Sequence, residues 1–198
     1  MINRDKRNRL LVLLIFGMTI IPFAVAWLLG GKASFIKGQV NNGQLITPIV
    51  TTKRDDFIGI DDFSTQNIGE LKGRWVMLNV VPENECGEAC LKSVHKTKQL
   101  LLMMNKDLIR IRRVVAVLQD SKPETVSQWF SDDKVLLKIR PSLELSQKLS
   151  QIKAGRIPDG MLFLMDPLGN LMMQYDPGFD PYKVKSDLMH LLRISQIG

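Results

Sequence analysis

The chain has 198 residues, of which 45% are hydrophobic and 24% are charged, with a formal net charge of +7. This length is enough for one domain with a substantial core, and the composition excludes disordered and low-complexity classes. Four of the 27 basic and one of the 20 acidic residues lie in the first nine positions. The small basic excess of the remainder does not indicate nucleic-acid binding, and its densest cluster, Arg110, Arg112 and Arg113, is interpreted as a solvated strand edge.

An uncharged apolar run at residues 10–31, LLVLLIFGMTIIPFAVAWLLGG, is the first predicted element. As a helix it would span roughly 30 Å, the thickness of a bilayer core, so it predicts a transmembrane anchor. The basic residues at positions 1–9 predict a cytoplasmic N-terminus and place the remainder on the periplasmic side of the inner membrane. The alternative is a cleaved signal peptide at Ala24-Val25-Ala26. The apolar run continues past that site through Trp27, which favours the uncleaved anchor.

The rest of the sequence divides into a linker or arm, residues 32–54, and a domain, residues 55–198. Short alternating segments at 55–70 predict a hairpin, and the continuous apolar run at 75–81 predicts a buried central strand. The predicted order from there is β-α-β-α-β-α-β-β-α. This alternation indicates a mainly parallel sheet with helices on both faces and an antiparallel edge. The other predicted strands are 111–118, 135–139, 161–165 and 171–175, and the predicted helices begin near Cys86, Asp120 or Ser121, Pro141 and Pro181.

Both cysteines of the chain, Cys86 and Cys90, lie in the stretch NECGEACLKS after the predicted central strand. In an oxidising compartment such a pair forms a disulfide by default. Placed at i and i+4 near a helix N-terminus, the two sulfurs can meet where backbone N–H groups stabilise a thiolate, and Cys86 should be affected most. The negative charges of Glu83, Glu85 and Glu88 oppose a thiolate and favour the disulfide or a metal-loaded state.

A purely structural disulfide between Cys86 and Cys90 would close a loop of only a few residues and would gain little chain entropy. Redox or metal chemistry is therefore favoured, and a static structural disulfide stays as the alternative.

The predicted order of elements resembles the thioredoxin-like plan. This order is a strand, a loop, a cysteine pair at a helix start, a βαβ unit, a proline before a hairpin and a last helix. The three residues between the cysteines resemble the SCO/SenC family of membrane-anchored copper chaperones for cytochrome oxidase. The segments LKGRWVMLNVV, DLIRIRRVVAVLQDSKPETV and MLFLMDPLGNLMMQY carry this resemblance, as does the N-terminal anchor. It implies an α/β, thioredoxin-like fold, with a mixed central sheet flanked by helices, over roughly residues 55 to 195.

The SCO-like resemblance also implies a copper site formed by Cys86, Cys90 and a histidine just before the penultimate strand. The matching stretch, RIPDG at residues 156–160, has no histidine. Instead, Pro158 resembles the thioredoxin-type cis-proline whose loop faces the cysteine pair. Met161 is a candidate third ligand, because thioether sulfur suits Cu(I).

The two histidines, His95 and His190, are predicted to lie on the surface, because each falls on the polar side of its helix. Two thiolates alone can hold Cu(I), which accepts low coordination, whereas Cu(II) prefers nitrogen or oxygen donors. The sequence therefore predicts Cu(I) binding by the cysteine pair and poor Cu(II) binding. Glu83, Glu85 and Asp159 are the carboxylates that could assist a weak Cu(II) site.

The leading hypothesis is an SCO-like assembly factor for a respiratory cytochrome oxidase. It would bind Cu(I) transiently, or reduce the thiols of a copper-site subunit, through Cys86 and Cys90. One alternative is a membrane-tethered periplasmic thiol–disulfide oxidoreductase of general specificity, and another is a non-catalytic thioredoxin-like scaffold. The implied partners are a cytochrome oxidase subunit or another periplasmic thiol protein.

Overall fold

The structure, a computed structural model, describes residues 4–30 and 41–195. The chain divides into two compact units at residue 40, and the described residues of the first unit form one helix, α1 (Arg4–Gly30). Within α1, Arg7–Leu28 is long and apolar enough to cross a membrane, and none of it is buried. Trp27 near its end is 82% exposed. The apolar helix expected at residues 10–31 is therefore present, and its composition suits a lipid environment.

The second unit, which starts at Asn41, is a mixed seven-stranded sheet with helices on both faces. Its strands are β1 (Gln44–Thr51), β2 (Phe57–Gly59), β3 (Trp75–Val81), β4 (Ile111–Val117), β5 (Leu137–Pro141), β6 (Leu162–Met165) and β7 (Asn170–Tyr175). Its α-helices are α2 (Asp62–Asn67), α3 (Glu88–Leu102), α4 (Pro123–Trp129), α5 (Leu143–Ile152) and α6 (Pro181–Ile194). Short 3-10 helices occupy Arg54–Asp56, Ile68–Leu71 and Asn105–Arg110.

The strand order is β1-β7-β6-β3-β4-β5-β2, with β3, β4 and β5 parallel and the remaining pairs antiparallel. Every residue of β3 is buried, as its continuous apolar run predicts for a central strand. Alternate side chains of β3 enter two core layers. Val76 and Leu78 pack with α5, whereas Trp75 and Met77 pack with α3 and α6. The predicted thioredoxin-like fold, with its mixed sheet flanked by helices, is confirmed.

The domain begins earlier than predicted, because part of the segment interpreted as a linker, residues 32–54, forms an edge strand. β1 (Gln44–Thr51) pairs antiparallel with β7, and Gly43 lies directly before it. Pro48 lies within β1, and a proline is tolerated in a strand only at a sheet edge. Residues 32–40 of the expected linker lie outside the described residues.

The predicted hairpin between residues 55 and 70 is wrong. Only Phe57–Gly59 is a strand, and it pairs with β5 rather than with a neighbour in sequence. Asp61 follows it and caps α2, because its carboxylate accepts a hydrogen bond from the backbone N–H of Ser64 at 2.8 Å. The capping aspartate therefore favours a helix in the segment where the short alternation of apolar and polar residues had predicted the second strand of a hairpin.

The buried carboxylate of Asp187 on α6 fixes the first residues of the domain. It accepts hydrogen bonds from the backbone N–H groups of Asn42 and Gly43 and from the Tyr175 hydroxyl, at 2.8 to 3.0 Å. Burial, and then the hydrogen bond to Asp187, raises the pKa of Tyr175. Tyr175 is therefore a neutral donor at physiological pH, and the chain is anchored to the C-terminal helix at the point where β1 begins.

Candidate functional site

The two cysteines are joined in a disulfide at the end of the central strand. Their Cα atoms lie 5.3 Å apart, and Cys86 and Cys90 are 7% and 1% exposed. The pair packs in an apolar cluster with Val81, at the end of β3, and with Val94 of α3. A small buried disulfide thus occupies the junction between the strand end and the helix start, with Cys86 as the more accessible sulfur-bearing residue.

The helix that carries the pair starts two residues later than predicted. α3 begins at Glu88, with Gly87 at its N-cap position, so Cys86 lies before the helix and Cys90 lies in its first turn. Gly87 supplies no side-chain cap. Cys86, the cysteine expected to be affected most by the helix end, therefore precedes the helix, and Cys90 is the cysteine inside the first turn.

The loop before Cys86 is held to the neighbouring strand end by hydrogen bonds to its carbonyl groups. The Gln119 side-chain amide donates to the Pro82 carbonyl at 3.3 Å, and the Ser121 hydroxyl reaches the Asn84 carbonyl at 3.5 Å. This loop follows β3, and the segment of Gln119 and Ser121 follows the parallel strand β4. The carboxyl ends of two parallel strands therefore meet at the disulfide, as expected for sites in open α/β sheets.

The three glutamates around the cysteines are exposed, and two of them are paired. Glu83 accepts a hydrogen bond from Arg156 at 3.1 Å, and Glu88 forms an i,i+4 ion pair with Lys92. The hydrogen bond from Lys92 lowers the pKa of Glu88. Because exposed, paired charges are screened by solvent, these glutamates affect the sulfurs less than the sequence indicated.

The carboxylate that reaches the pair belongs to Asp159. Its Oδ2 accepts a hydrogen bond from the backbone N–H of Cys90 at 3.2 Å, which caps α3 from a separate loop. Its Oδ1 is buried and receives no hydrogen bond from the described residues. From the sequence, Asp159 is expected only as an assisting copper ligand. The contact of Asp159 with the cysteine pair could have been predicted only from the two glycines on either side of it, Gly87 and Gly160.

The loop predicted to face the cysteines does so, but not through a cis-proline. The described residues contain a single cis peptide bond, Thr47-Pro48, so the bond before Pro158 is trans. A trans bond is the common state of an X–Pro peptide, and the sequence carries no signal for the minority form. Pro158 itself is exposed, and the contact with the pair is made by Asp159.

Met161 lies on the wrong side of the sheet for the role of third copper ligand. Its fully buried side chain belongs to the core cluster shared with Val80 and Phe163, whereas Cys86 and Cys90 belong to the cluster below α3. The first cluster lies on the face of the sheet covered by α5 and the second on the face covered by α3, so Met161 packs on the opposite face from the disulfide. The structure therefore does not bring this predicted residue to the site.

Both histidines are on the surface, as predicted. His95 is exposed on α3, and His190 is exposed on α6, with its Nδ1 3.0 Å from an Arg193 guanidinium nitrogen. Among residues 4–30 and 41–195, no group of three or more histidine, cysteine, aspartate or glutamate side chains is arranged to hold a metal ion. The donors present at the site are thus the two sulfurs and the Asp159 carboxylate.

A buried polar network fixes α3 on the sheet below the disulfide. Asn79 of β3 donates to the Ser93 hydroxyl at 2.7 Å and accepts from the Thr97 hydroxyl at 2.9 Å. Arg113 of β4 donates to the Val94 carbonyl at 2.9 Å and to the Asp133 carboxylate at 2.6 Å. These four hydrogen bonds join buried groups, where the low dielectric strengthens them, so the helix that carries Cys90 is held in a defined position.

The burial of Arg113 contradicts the interpretation of residues 110–113 as a solvated strand edge. Arg113 is 2% exposed and forms a buried ion pair with Asp133. Burial lowers the pKa of Arg113, and the neighbouring Asp133 carboxylate opposes that shift. Arg112 lies on the opposite face and pairs with Glu70. The cluster is divided between the two faces because strand residues alternate.

An open cleft of about 630 Å³ lies between the loop that leads to Cys86 and the loop that leads to Asp159, and neither cysteine is among the residues that line it. Its wall combines the apolar groups of Pro82, Leu118 and Ile157 with the amide and hydroxyl groups of α5 and with the exposed Glu83–Arg156 ion pair. Uncharged amides and hydroxyls can pair with peptide backbone groups, and apolar surface can take up side chains. The cleft therefore suits a polypeptide segment.

A protein-family model matches the part of the domain that contains this site. Residues 75–195 match the family model described as "Transmembrane-like, thioredoxin-like, C-terminal domain". The chain belongs to this family. A comparison with the curated proteins finds no match.

Solved structures similar to this transmembrane-like, thioredoxin-like chain include several Sco proteins. Copper-bound yeast Sco1 is 14% identical with a TM-score of 0.52, and 63% of this chain aligns with 82% of that one. Apo Sco1 from Thermus thermophilus is 15% identical with a TM-score of 0.55, and the alignment covers 76% and 96% of the two chains. BsSco, a Sco-family protein with a disulfide switch, is 13% identical with a TM-score of 0.50, and the alignment covers 79% of this chain and 99% of that one. At these identities the similarity shows a shared fold.

Proposed function

We propose that this protein is a membrane-anchored, Sco-like assembly factor that acts on the copper site of a respiratory oxidase through Cys86 and Cys90. In the proposed arrangement α1 is the anchor, its basic N-terminal flank stays in the cytoplasm, and the domain works in the periplasm. The observation that carries the proposal is the buried disulfide at the start of α3, at the carboxyl ends of the parallel strands β3 and β4. A disulfide that closes so short a loop adds little stability, which favours a chemical role.

The proposed reaction is thiol–disulfide exchange with cysteines of the copper-site subunit. The reduced pair would attack a client disulfide through Cys86, the more exposed cysteine, and form a mixed disulfide. Cys90 would then attack Cys86, restore the internal disulfide and release the client as a dithiol. The pair loses two electrons and the client gains two, so a periplasmic dithiol reductant is required to reduce the pair again.

Cu(I) is the second proposed substrate of the reduced pair, as cargo rather than as a resident cofactor. The soft sulfurs of Cys86 and Cys90 suit Cu(I), which accepts two-coordinate binding. Neither a histidine nor Met161 approaches the pair in the described residues. The donor set therefore favours Cu(I) over Cu(II) and a transient complex over a permanent centre.

Copper titration of the full-length protein, reduced and held in a mild detergent, tests this selectivity. We expect one equivalent of Cu(I) to bind and Cu(II) to bind poorly, because the described site offers two thiolates and one carboxylate that already accepts a hydrogen bond. The matched control is the Cys86→Ser, Cys90→Ser double variant, which should bind neither ion. Tight Cu(II) uptake with a thiolate charge-transfer band would contradict the selectivity, and equal Cu(I) uptake by the control would remove the cysteines from the site.

A deletion strain separates the proposed function from the general oxidoreductase. We expect loss of respiratory oxidase activity with normal disulfide content in other periplasmic proteins. Added copper should restore activity in part, because mass action replaces an assisted delivery step. A broad defect in disulfide-bonded proteins would instead identify an oxidoreductase of general specificity. The absence of both phenotypes would favour a structural scaffold.

A further inference from the structure

Asp159 places a carboxylate against the end of the helix that holds the second cysteine. Its Oδ2 accepts from the Cys90 backbone N–H at 3.2 Å, while its Oδ1 is buried without a hydrogen bond from the described residues. A carboxylate oxygen that is shielded from water and lacks a donor is unusual in a native fold and calls for a physical reason. Helix capping uses only Oδ2 and leaves the position of Oδ1 unexplained.

Two glycines allow this close approach. A Cβ atom at Gly87 would lie 2.7 Å from Asp159 Oδ2, and one at Gly160 would lie 2.7 Å from the Ala89 carbonyl oxygen. Gly160 also has a φ of +84°, in the region that favours glycine. The backbone on both sides of the contact is thus shaped to bring the carboxylate and the first turn of α3 together.

The charge of Asp159 has no cationic partner among residues 4–30 and 41–195. Arg156, the basic residue of the same loop, instead forms an exposed pair with Glu83. The negative charge of Asp159 is therefore stabilised by the N-terminus of α3, through the hydrogen bond from the Cys90 N–H. The same N–H groups would otherwise stabilise a thiolate on the cysteine pair, so the carboxylate competes with the sulfurs for this stabilisation.

We propose that Asp159 is a positioning residue that keeps the Cys86–Cys90 pair in the disulfide state by opposing negative charge on the Cys90 sulfur. This inference rests on the proposed thiol chemistry. When a thiolate opens the disulfide, a new S–S bond forms to Cys86 Sγ and the Cys86–Cys90 bond breaks. The electron pair then resides on Cys90 Sγ as a thiolate. A fixed carboxylate beside Cys90 raises the energy of that leaving group and slows the opening.

The test measures how fast dithiothreitol opens the disulfide in the full-length protein, held in a mild detergent and quenched by alkylation. We expect Asp159→Asn to open about tenfold faster than the parent, because the amide keeps a carbonyl acceptor for the Cys90 N–H but removes the charge. Asp159→Ala should also open faster. The matched control is Glu144→Gln, which removes an exposed, paired carboxylate of α5 away from the cysteines and should leave the rate unchanged.

The asparagine variant decides between charge and capping. If Asn opens at the parental rate and only Ala is faster, Asp159 is merely a helix cap and the proposal is overturned. Equal rates in all variants overturn it as well. In both cases the thiol chemistry of the parent stands, because the parent is still opened. If dithiothreitol opens neither the parent nor any variant, the proposed thiol exchange fails together with the inference.

Discussion

Replacing Arg113 by methionine is expected to lower the free energy of unfolding by about 3 to 5 kcal/mol, because it leaves the buried Asp133 carboxylate without its partner. Both side chains are almost inaccessible, at 1% and 7% exposure, and Asp133 Oδ1 already lacks a hydrogen bond from the described residues. The Arg113 side chain also binds the carbonyl of Val94 on α3. Its loss therefore loosens the helix that carries Cys90.

Urea unfolding of the full-length protein in a mild detergent, followed by tryptophan fluorescence, measures this effect. Trp75 is 3% exposed in the core and reports on the domain. The matched control is Lys148→Met, which breaks a surface pair with Glu144 and should change stability by less than 1 kcal/mol. Replacing both Arg113 and Asp133 by apolar residues should recover most of the loss. A single Arg113→Met variant as stable as the parent would contradict the buried pair.

Replacing both cysteines by serine is expected to abolish thiol exchange and Cu(I) binding while the fold persists. By the chain-entropy estimate, a loop this short contributes about 2 kcal/mol or less to stability. The hydrogen bonds from Asn79 that hold α3 on the sheet do not involve the sulfur atoms, and the apolar cluster around the cysteines also contains residues of β4 and α4. Unfolding curves should therefore shift slightly, and exchange with a model dithiol should disappear. Collapse of the domain in this variant would instead indicate a structural disulfide.

The order of elements in the domain could be predicted because the central strands carry continuous apolar runs. Residues 75–81 are buried along their whole length, and such a run is typical of a parallel sheet covered on both faces. Edge strands carry weaker signals. β1 contains Pro48 and exposes Leu45 and Ile49, so its pattern resembles that of an arm. Its place in the sheet is determined by pairing with β7, a contact distant in sequence.

The cysteine pair could be predicted from the sequence, but its surroundings could not. Glu83 and Glu88 are close to the cysteines in sequence, yet they point to solvent and pair with other residues. Asp159 is distant in sequence and reaches the pair only because the loop before β6 crosses the start of α3. The burial of Arg113 depends likewise on which face of β4 packs against α3, and this cannot be predicted from the local density of charged residues in the sequence.

The most direct test of the central claim is oxidase activity in the deletion strain carrying either the parent protein or the Cys86→Ser, Cys90→Ser variant at equal abundance. We expect the parent to restore activity without added copper and the double variant to fail, because the variant keeps the anchor and the fold but lacks the reactive sulfurs. Full restoration of activity by the double variant would contradict the account, since it would show that the protein acts without the chemistry of its cysteine pair.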